Sequence, residues 1–169
     1  SEIRDRGSFP TLEYCVQYRE TDFDFVSRLM EKEGIYYFFK HEGGSHTMVL
    51  ANMKSSHQSV PKLETIPFLP PVGRFHPVEQ RIEHLVAHRR FRTGKFALND
   101  YNYERPNTQM LSEVSASASY KYSDMEHYGY PGMYKEKSVG ERYAKIELEA
   151  EQAQDRRCQG SGDAPSLFA

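Results

Sequence analysis

Residues 12–18 read Leu-Glu-Tyr-Cys-Val-Gln-Tyr, which sets Leu12, Tyr14, Val16 and Tyr18 at every second position, the period of a strand with one apolar face. The period then lengthens. Across residues 22–33, Val26, Leu29 and Met30 fall on one stripe that Phe23 or Phe25 extends, and this predicts a helix. Thr21 fits its N-cap, Asp22 and Asp24 suit the positive end of the helix dipole, and Gly34 follows Glu33 as a stop. Period two returns in Ile-Tyr-Tyr-Phe-Phe-Lys at 35–40 and His-Thr-Met-Val-Leu-Ala at 46–51. Between them lies Glu42-Gly43-Gly44-Ser45, whose glycines supply the positive φ of a hairpin turn. The two runs are expected to pair antiparallel. Apolar residues on both faces of the first run imply cover on both sides, by the helix and by another sheet or subunit.

Residues 52–78 hold Pro61, Pro67, Pro70, Pro71 and Pro77 with little periodicity, the mark of an extended connector. Alternation resumes at 83–91 and 94–103, with Thr93-Gly94 as the turn between them, and a weak strand fits 110–119. Residues 120–134 are rich in Tyr and Gly, with a turn at Tyr130-Pro131-Gly132. A second helix is predicted from about Gly140 to Arg157 on Tyr143, Ile146, Leu148, Ala150 and Ala153, with Gly160-Ser161-Gly162 as a flexible exit. No internal repeat is found. The organisation read from the pattern is a strand-helix-hairpin unit at 11–52, the connector at 52–78, and strands plus a C-terminal helix at 79–157.

Composition changes this picture in one respect. Leu, Ile, Val and Phe together lie near the roughly 20% boundary below which chains fail to offset the entropy of ordering, but 12 Tyr and 10 Phe add 13% aromatic residues. The core is therefore expected to be thin and Tyr-heavy, in a chain that leans on partners or is cut from something larger. The ends, Ser1 without an initiator Met and the apolar Leu167-Phe168-Ala169, read as cut. A net charge of -2 argues against general nucleic-acid or anionic-membrane binding. No apolar run reaches the length of a membrane span, and the N-terminal residues lack a signal peptide's apolar stretch, so Sec export is not expected. Cys15 and Cys158 lack metal-ligand or disulfide-framework spacing and read as free thiols in a reducing compartment.

Candidate chemistry is sparse. His84 and His88 stand four apart, a helical zinc spacing, but Leu85 occupies the place of the metalloprotease glutamate and Arg89, Arg90 and Arg92 would repel a cation. A solvent-facing pair explains them better. Asp22/Asp24 and Glu31/Glu33 resemble glycosidase carboxylate pairs only superficially: the first two cap the helix, and Glu31 to Glu33 with Lys32 make a solvated end. Ser8 and Ser55-Ser56-His57 lack a third catalytic group, and no nucleophile elbow, Walker loop or dinucleotide fingerprint is present. The run His88-Arg-Arg-Phe-Arg-Thr-Gly-Lys95 reads first as a solvated strand edge, with an acidic protein partner and nucleic acid as the other readings.

The stretch Tyr18-Arg-Glu-Thr-Asp-Phe-Asp-Phe-Val-Ser-Arg-Leu-Met-Glu-Lys-Glu-Gly-Ile-Tyr-Tyr-Phe-Phe39, continued by Lys-His-Glu-Gly-Gly-Ser-His-Thr-Met-Val-Leu-Ala-Asn52, closely resembles the VgrG family, the trimeric spike proteins of type VI secretion systems. Residues 94–106, Gly-Lys-Phe-Ala-Leu-Asn-Asp-Tyr-Asn-Tyr-Glu-Arg-Pro, are similar to the family's Asp-Tyr-Asp-Phe-x-x-Pro segment, with Asn102 and Tyr103 as departures. Tyr128-Gly-Tyr-Pro-Gly-Met-Tyr134 and the Glu-rich helix after it also resemble the family.

The resemblance implies a fragment of the VgrG hub, similar to the hub of contractile phage baseplates. The fold expected is α+β, mainly β: barrel-like tube domains of the phage hub type, with one helix packed by a hairpin and a second C-terminal helix. Three chains would form a pseudo-six-fold ring matching the Hcp hexamer. The N-terminal part of the hub, the OB-like domain and the β-helical needle are not in this sequence, nor is a C-terminal effector extension.

The family motif carried over is structural: Arg19, Glu20, Asp22, Phe23, Phe25, Leu29, Glu33 and Gly34. No catalytic, cofactor or metal residue comes with it, and an enzyme is not expected. Implied partners are two further copies of the chain, the Hcp tube, and effector or adaptor proteins, without nucleic acid, and with the target membrane crossed mechanically. The implied location is the bacterial cytoplasm during assembly and then the outside or the target cell. The aromatic faces around Tyr36 to Phe39 are expected to be buried between layers or subunits. A phage tail hub shares the implied fold and would differ in its genomic neighbours, and a cell-wall glycan hydrolase is the competing reading from another class. The isolated chain is expected to be marginally stable or self-associating.

Overall fold

The computed structural model describes residues 2–4, 9–57, 65–70, 80–117 and 120–165. Among these residues, eight strands in three small open sheets and two α-helices make an α+β arrangement that is mainly β. The strands are β1 Glu2–Arg4, β2 Tyr36–Glu42, β3 Ser45–Ala51, β4 Arg81–Arg89, β5 Lys95–Leu98, β6 Ser112–Ser115, β7 Glu126–Gly129 and β8 Arg156–Asp163; the helices are α1 Asp22–Lys32 and α2 Lys137–Gln152. None of the sheets closes into a barrel among the described residues. No helix among them is long and apolar enough to cross a membrane.

The local signals around α1 act as the sequence predicts. Thr21 accepts a hydrogen bond from the Asp24 backbone N–H at 3.2 Å and donates its hydroxyl to Asp24 Oδ2 at 2.7 Å, which occupies an otherwise unpaired donor of the first turn. At the other end Gly34 takes φ +70°, where a side chain would be strained, and turns the chain into β2. Gly43 and Gly44, at φ +55° and +82°, close the β2–β3 hairpin, whose register pairs Tyr36 with Ala51 through to Glu42 with Ser45. β1 adds in parallel to the far side of β3.

The main core lies elsewhere. β5 is the centre of the sheet β6-β5-β7, antiparallel to β6 and parallel to β7, and α2 packs across it. Phe96, Leu98, Met110, Tyr134, Tyr143, Ala144 and Leu148 fill the space between. Tyr134 fixes this layer: its hydroxyl sits 2.9 Å from the Leu98 carbonyl oxygen and 2.5 Å from that of Met110, and burial pushes its pKa upward. Gly140 of α2 lies against the ring, where an added Cβ would come within 2.4 Å of Tyr134 and 2.7 Å of Ser112 Oγ. This glycine is set by close approach of helix to sheet.

Several expectations fail for identifiable reasons. Residues 12–18 form no strand. Their polar groups are held by side chains: Glu13 meets Lys135 Nζ at 2.5 Å, Arg28 Nη2 donates to the Val16 carbonyl at 3.4 Å, and Gln17 donates to Asp22 and to the Glu20 carbonyl. Alternation alone cannot supply a partner strand, and Leu12, Tyr14, Val16 and Tyr18 are all exposed. The stretches 83–91 and 94–103 do not adjoin across Thr93-Gly94: β4 pairs with β8, whereas β5 stops at Leu98 and belongs to another sheet.

The second helix ends at Gln152, and the Gly160-Ser161-Gly162 stretch expected to be a flexible exit is part of β8. At Gly162 a Cβ would stand 2.3 Å from the Arg81 carbonyl oxygen, so the strand needs glycine for close pairing with β4. β7 lies inside the stretch assigned only a Tyr- and Gly-rich character, and the turn after it contains a cis Tyr130–Pro131 peptide. The weak strand at 110–119 is present as β6. Of the Pro-rich connector, residues 58–64 and 71–79 lie outside the described residues; its Phe68 bridges in parallel to Ile82 beside β4. Ser8, Pro61, Pro71, Pro77 and the Leu167-Phe168-Ala169 end also lie outside them.

Candidate functional site: a clasped helix-hairpin unit and its exposed aromatic face

The motif residues 19–34 form the turn, helix and stop that present β2. Arg19 occupies the left-handed region at φ +53°, an uncommon conformation for a residue with a Cβ, and its guanidinium lies over the Tyr18 ring. Glu20 receives Arg28 at 2.6 Å, and this hydrogen bond holds the Glu20 carboxyl below its ordinary pKa and raises that of Arg28. Asp22 accepts from Gln17 at 2.8 Å, so it ties the preceding segment to the first helical turn. Phe25 lies under Arg28, Leu29 is half-buried, and Phe23, 65% exposed, meets the Tyr37 ring edge-on at 6.5 Å.

Glu33 departs from the solvated role expected of it. Its carboxylate, 15% exposed, accepts from Arg142 Nη2 at 2.5 Å and from the Tyr143 hydroxyl at 2.8 Å, both on α2. Burial, and then the Glu33 carboxylate, push the Tyr143 pKa up to about 12. Beside this clasp, an added Cβ at Gly34 would come within 3.1 Å of Ile146. The motif thus joins the helix-hairpin unit to the main core through Glu33, Gly34, Arg142, Tyr143 and Ile146.

The hairpin's two faces are covered unequally. Tyr36 and Phe38 stack at 6.5 Å, and His57 packs flat on both. The expectation of cover on both sides holds only in part, because on the opposite face Tyr37 meets Phe23 while Phe39 remains 50% exposed. Leu12, Tyr14, Tyr18 and Val26 are exposed as well. Exposed aromatic surface of this kind fits a protein that completes its burial by association.

The other nominated residues do not form a catalytic group. His84 and His88 sit exposed on β4, and no cluster of three or more metal-ligating side chains occurs among the described residues. Asp22 and Asp24 serve the start of α1. Ser56 Oγ is buried without a partner, and its neighbour His57 is engaged in stacking. The basic run is largely neutralised within the chain: Arg89 pairs with Asp155, Arg92 with Glu151, and Lys95 with both Glu113 and Glu126. These pairs hold the run on the strand edges beside α2. Arg90 remains over a polar cleft of about 350 Å³ bounded by His88, Gln154, Arg157, Cys158 and Gln159. Cys15 and Cys158 are free and exposed.

Sequence reasoning missed the Glu33–Arg142–Tyr143 clasp, whose members are more than a hundred residues apart, and a pair of histidines across the hairpin. His41 and His46 are directly opposed, with their Nδ1 atoms 2.9 Å apart. The signal for the second was present, since a turn on Gly43-Gly44 dictates this register.

Residues 2–169 match the family described as the phage tail baseplate hub (GPD). Among curated proteins, the chain is 41% identical over 160 residues to the type VI secretion system spike protein VgrG1b of Pseudomonas aeruginosa, covering 95% of this chain and 22% of that protein. It is 39% identical over 162 residues to VgrG1c of the same organism, covering 96% and 22%. The actin cross-linking toxin VgrG1 of Vibrio cholerae is 31% identical over 159 residues, which is 93% of this chain and 14% of the toxin. The chain therefore spans about a fifth of the length of the Pseudomonas relatives it matches.

Proposed function

The chain belongs to the phage tail baseplate hub family, and from that premise we propose that it is a structural segment of a type VI secretion spike, without catalysis of its own. The observation that carries this reading is the family match across residues 2–169, combined with identity near 40% to spike proteins over almost the whole chain. In this reading three copies assemble into a ring, barrel-like tube domains are completed by segments and chains beyond this one, and the ring mates with the hexameric Hcp tube. Closed symmetric rings with large interfaces suit a part that transmits compressive force. The exposed Tyr37, Phe39 and Phe23 face supports an assembling role. The motif Arg19, Glu20, Asp22, Phe23, Phe25, Leu29, Glu33 and Gly34 serves to set the angle at which this face is presented. Assembly takes place in the cytoplasm, and the apparatus then carries the spike out of the cell with effector or adaptor proteins attached to it.

The family's own description favours a phage tail hub as the second reading. Gene neighbours encoding sheath, tube and baseplate of a secretion system, or capsid and tail-fibre genes, separate the two. The functional test is made in the full spike polypeptide that contains this segment. With Tyr37→Asp and Phe39→Asp together, Hcp is expected to disappear from the culture medium while remaining in the cells. Unchanged release of Hcp by a strain whose spike lacks the segment altogether overturns the proposal.

A further inference from the structure

His41 and His46 lie at the hairpin tip with their ring nitrogens in contact. The two-residue loop Gly43-Gly44 makes Glu42 and Ser45 the closing pair of the ladder, so His41 and His46 fall at the next position, directly opposite one another. In an antiparallel ladder this is a non-hydrogen-bonded position, where Cα atoms approach to about 4.5 Å and side chains are closer than elsewhere. The rings meet edge to face at 5.0 Å and turn their Nδ1 atoms toward one another at 2.9 Å. Phe39 packs against His41 on the same face at 6.5 Å. Both imidazoles are exposed, so an ion reaches them without any opening of the fold.

We propose that His41 and His46 form a two-histidine clip for a divalent transition-metal ion with square-planar or tetragonal preference, Ni²⁺ or Cu²⁺. Imidazole is a suitable donor for both. Two nitrogens in adjacent positions of a square-planar ion, each about 2.05 Å from it, are about 2.9 Å apart, whereas a tetrahedral zinc ion needs about 3.3 Å. The observed 2.9 Å is the length of a ring-to-ring N–H···N hydrogen bond, so the two donors already stand at the spacing that a shared ion requires, with only small ring rotations needed to converge on it. Binding exchanges the nitrogen-to-nitrogen contact for two metal bonds, with any proton held between the rings released to solvent. No third protein ligand stands nearby among the described residues, which leaves the remaining coordination positions to water. The His84/His88 pair offers no equivalent: four residues along a strand span about 13 Å, too far for one ion.

The test is titration of the full spike polypeptide containing this segment with NiCl₂ alone, followed by calorimetry at neutral pH, with ZnCl₂ as the comparison and the spike carrying both His41→Ala and His46→Ala as the blank. One Ni²⁺ per chain is expected, bound more tightly than Zn²⁺ relative to free imidazole. His41→Ala and His46→Ala should each weaken binding roughly tenfold or more, as loss of metal-site partners does, while His84→Ala with His88→Ala together leave it unchanged. Far-UV circular dichroism establishes that each variant is folded, which the exposed positions favour. Absence of Ni²⁺ binding to the parent chain, or binding that survives His41→Ala combined with His46→Ala, overturns the proposal. Both results leave the hub reading standing, because that reading does not invoke the clip.

Discussion

Replacing Gly140 with alanine sets two effects of opposite sign against one another. Gly140 lies inside α2, and helix propensity alone would make the substitution stabilising by up to about 1 kcal/mol. The structure gives the opposite answer. The new methyl group would stand 2.4 Å from the Tyr134 ring and 2.7 Å from Ser112 Oγ, and the ring cannot withdraw freely because its hydroxyl is engaged by the Leu98 and Met110 carbonyls. Overpacking of this kind costs about 1–3 kcal/mol. If the ring swings aside, the loss of its buried hydrogen bonding adds about 1–3 kcal/mol.

The net expectation is destabilisation of about 1–3 kcal/mol, which for a domain of this size lowers Tm by roughly 3–8 °C. Thermal and urea unfolding followed by circular dichroism measure it. The mechanism has its own check in a double-mutant cycle: once Tyr134→Ala has removed the ring, Gly140→Ala should become neutral or stabilising. A parent chain whose Tm is unchanged or raised by Gly140→Ala would refute the claim that this glycine is fixed by helix-sheet contact.

Two further outcomes follow from the clasp. Glu33→Ala removes the acceptor of Arg142 and Tyr143, and should destabilise the chain by about 2 kcal/mol, the scale of hydrogen bonds to a partly buried charged group; urea unfolding checks it. The Tyr143 pKa is raised in the folded state to about 12 from an ordinary value of 10. Folding therefore favours its neutral form, so the stabilisation is complete below pH 10 and is lost as pH rises from 10 toward 12. Tyr143→Phe should flatten stability against pH in that window, and an unchanged alkaline slope would count against the assignment.

The parts of the fold that were legible in the sequence are those whose causes are local. Thr21, Asp24, Gly34 and the Gly43-Gly44 pair act within a few residues of themselves, and they suffice to specify α1 and the hairpin. What depends on a distant partner was not legible. β8 carries glycines that look like a flexible tail and are needed because β4 comes so close, while residues 12–18 have a strand's alternation and no strand beside them among the described residues. Glu33 looked solvated because nothing near it in sequence says that Arg142 and Tyr143 face it. His41 and His46 were legible in principle from the hairpin register, but a search for metal spacings along the chain passes over residues five apart. The Tyr-heavy core expected from composition is not what forms: of the tyrosines only Tyr134 and Tyr143 are in the buried core, while Tyr14, Tyr18, Tyr37, Tyr101, Tyr103, Tyr122, Tyr128 and Tyr130 are exposed, because composition does not say which rings face inward.

The central claim is that this chain is part of an assembling structural hub, and the direct measurement is the mass of the full spike polypeptide containing it, by light scattering with and without Hcp. The account predicts three spike chains per particle, joined by one Hcp hexamer, with the three-chain state lost when Tyr37 and Phe39 are both changed to aspartate. A spike that is a stable monomer and takes up no Hcp contradicts it.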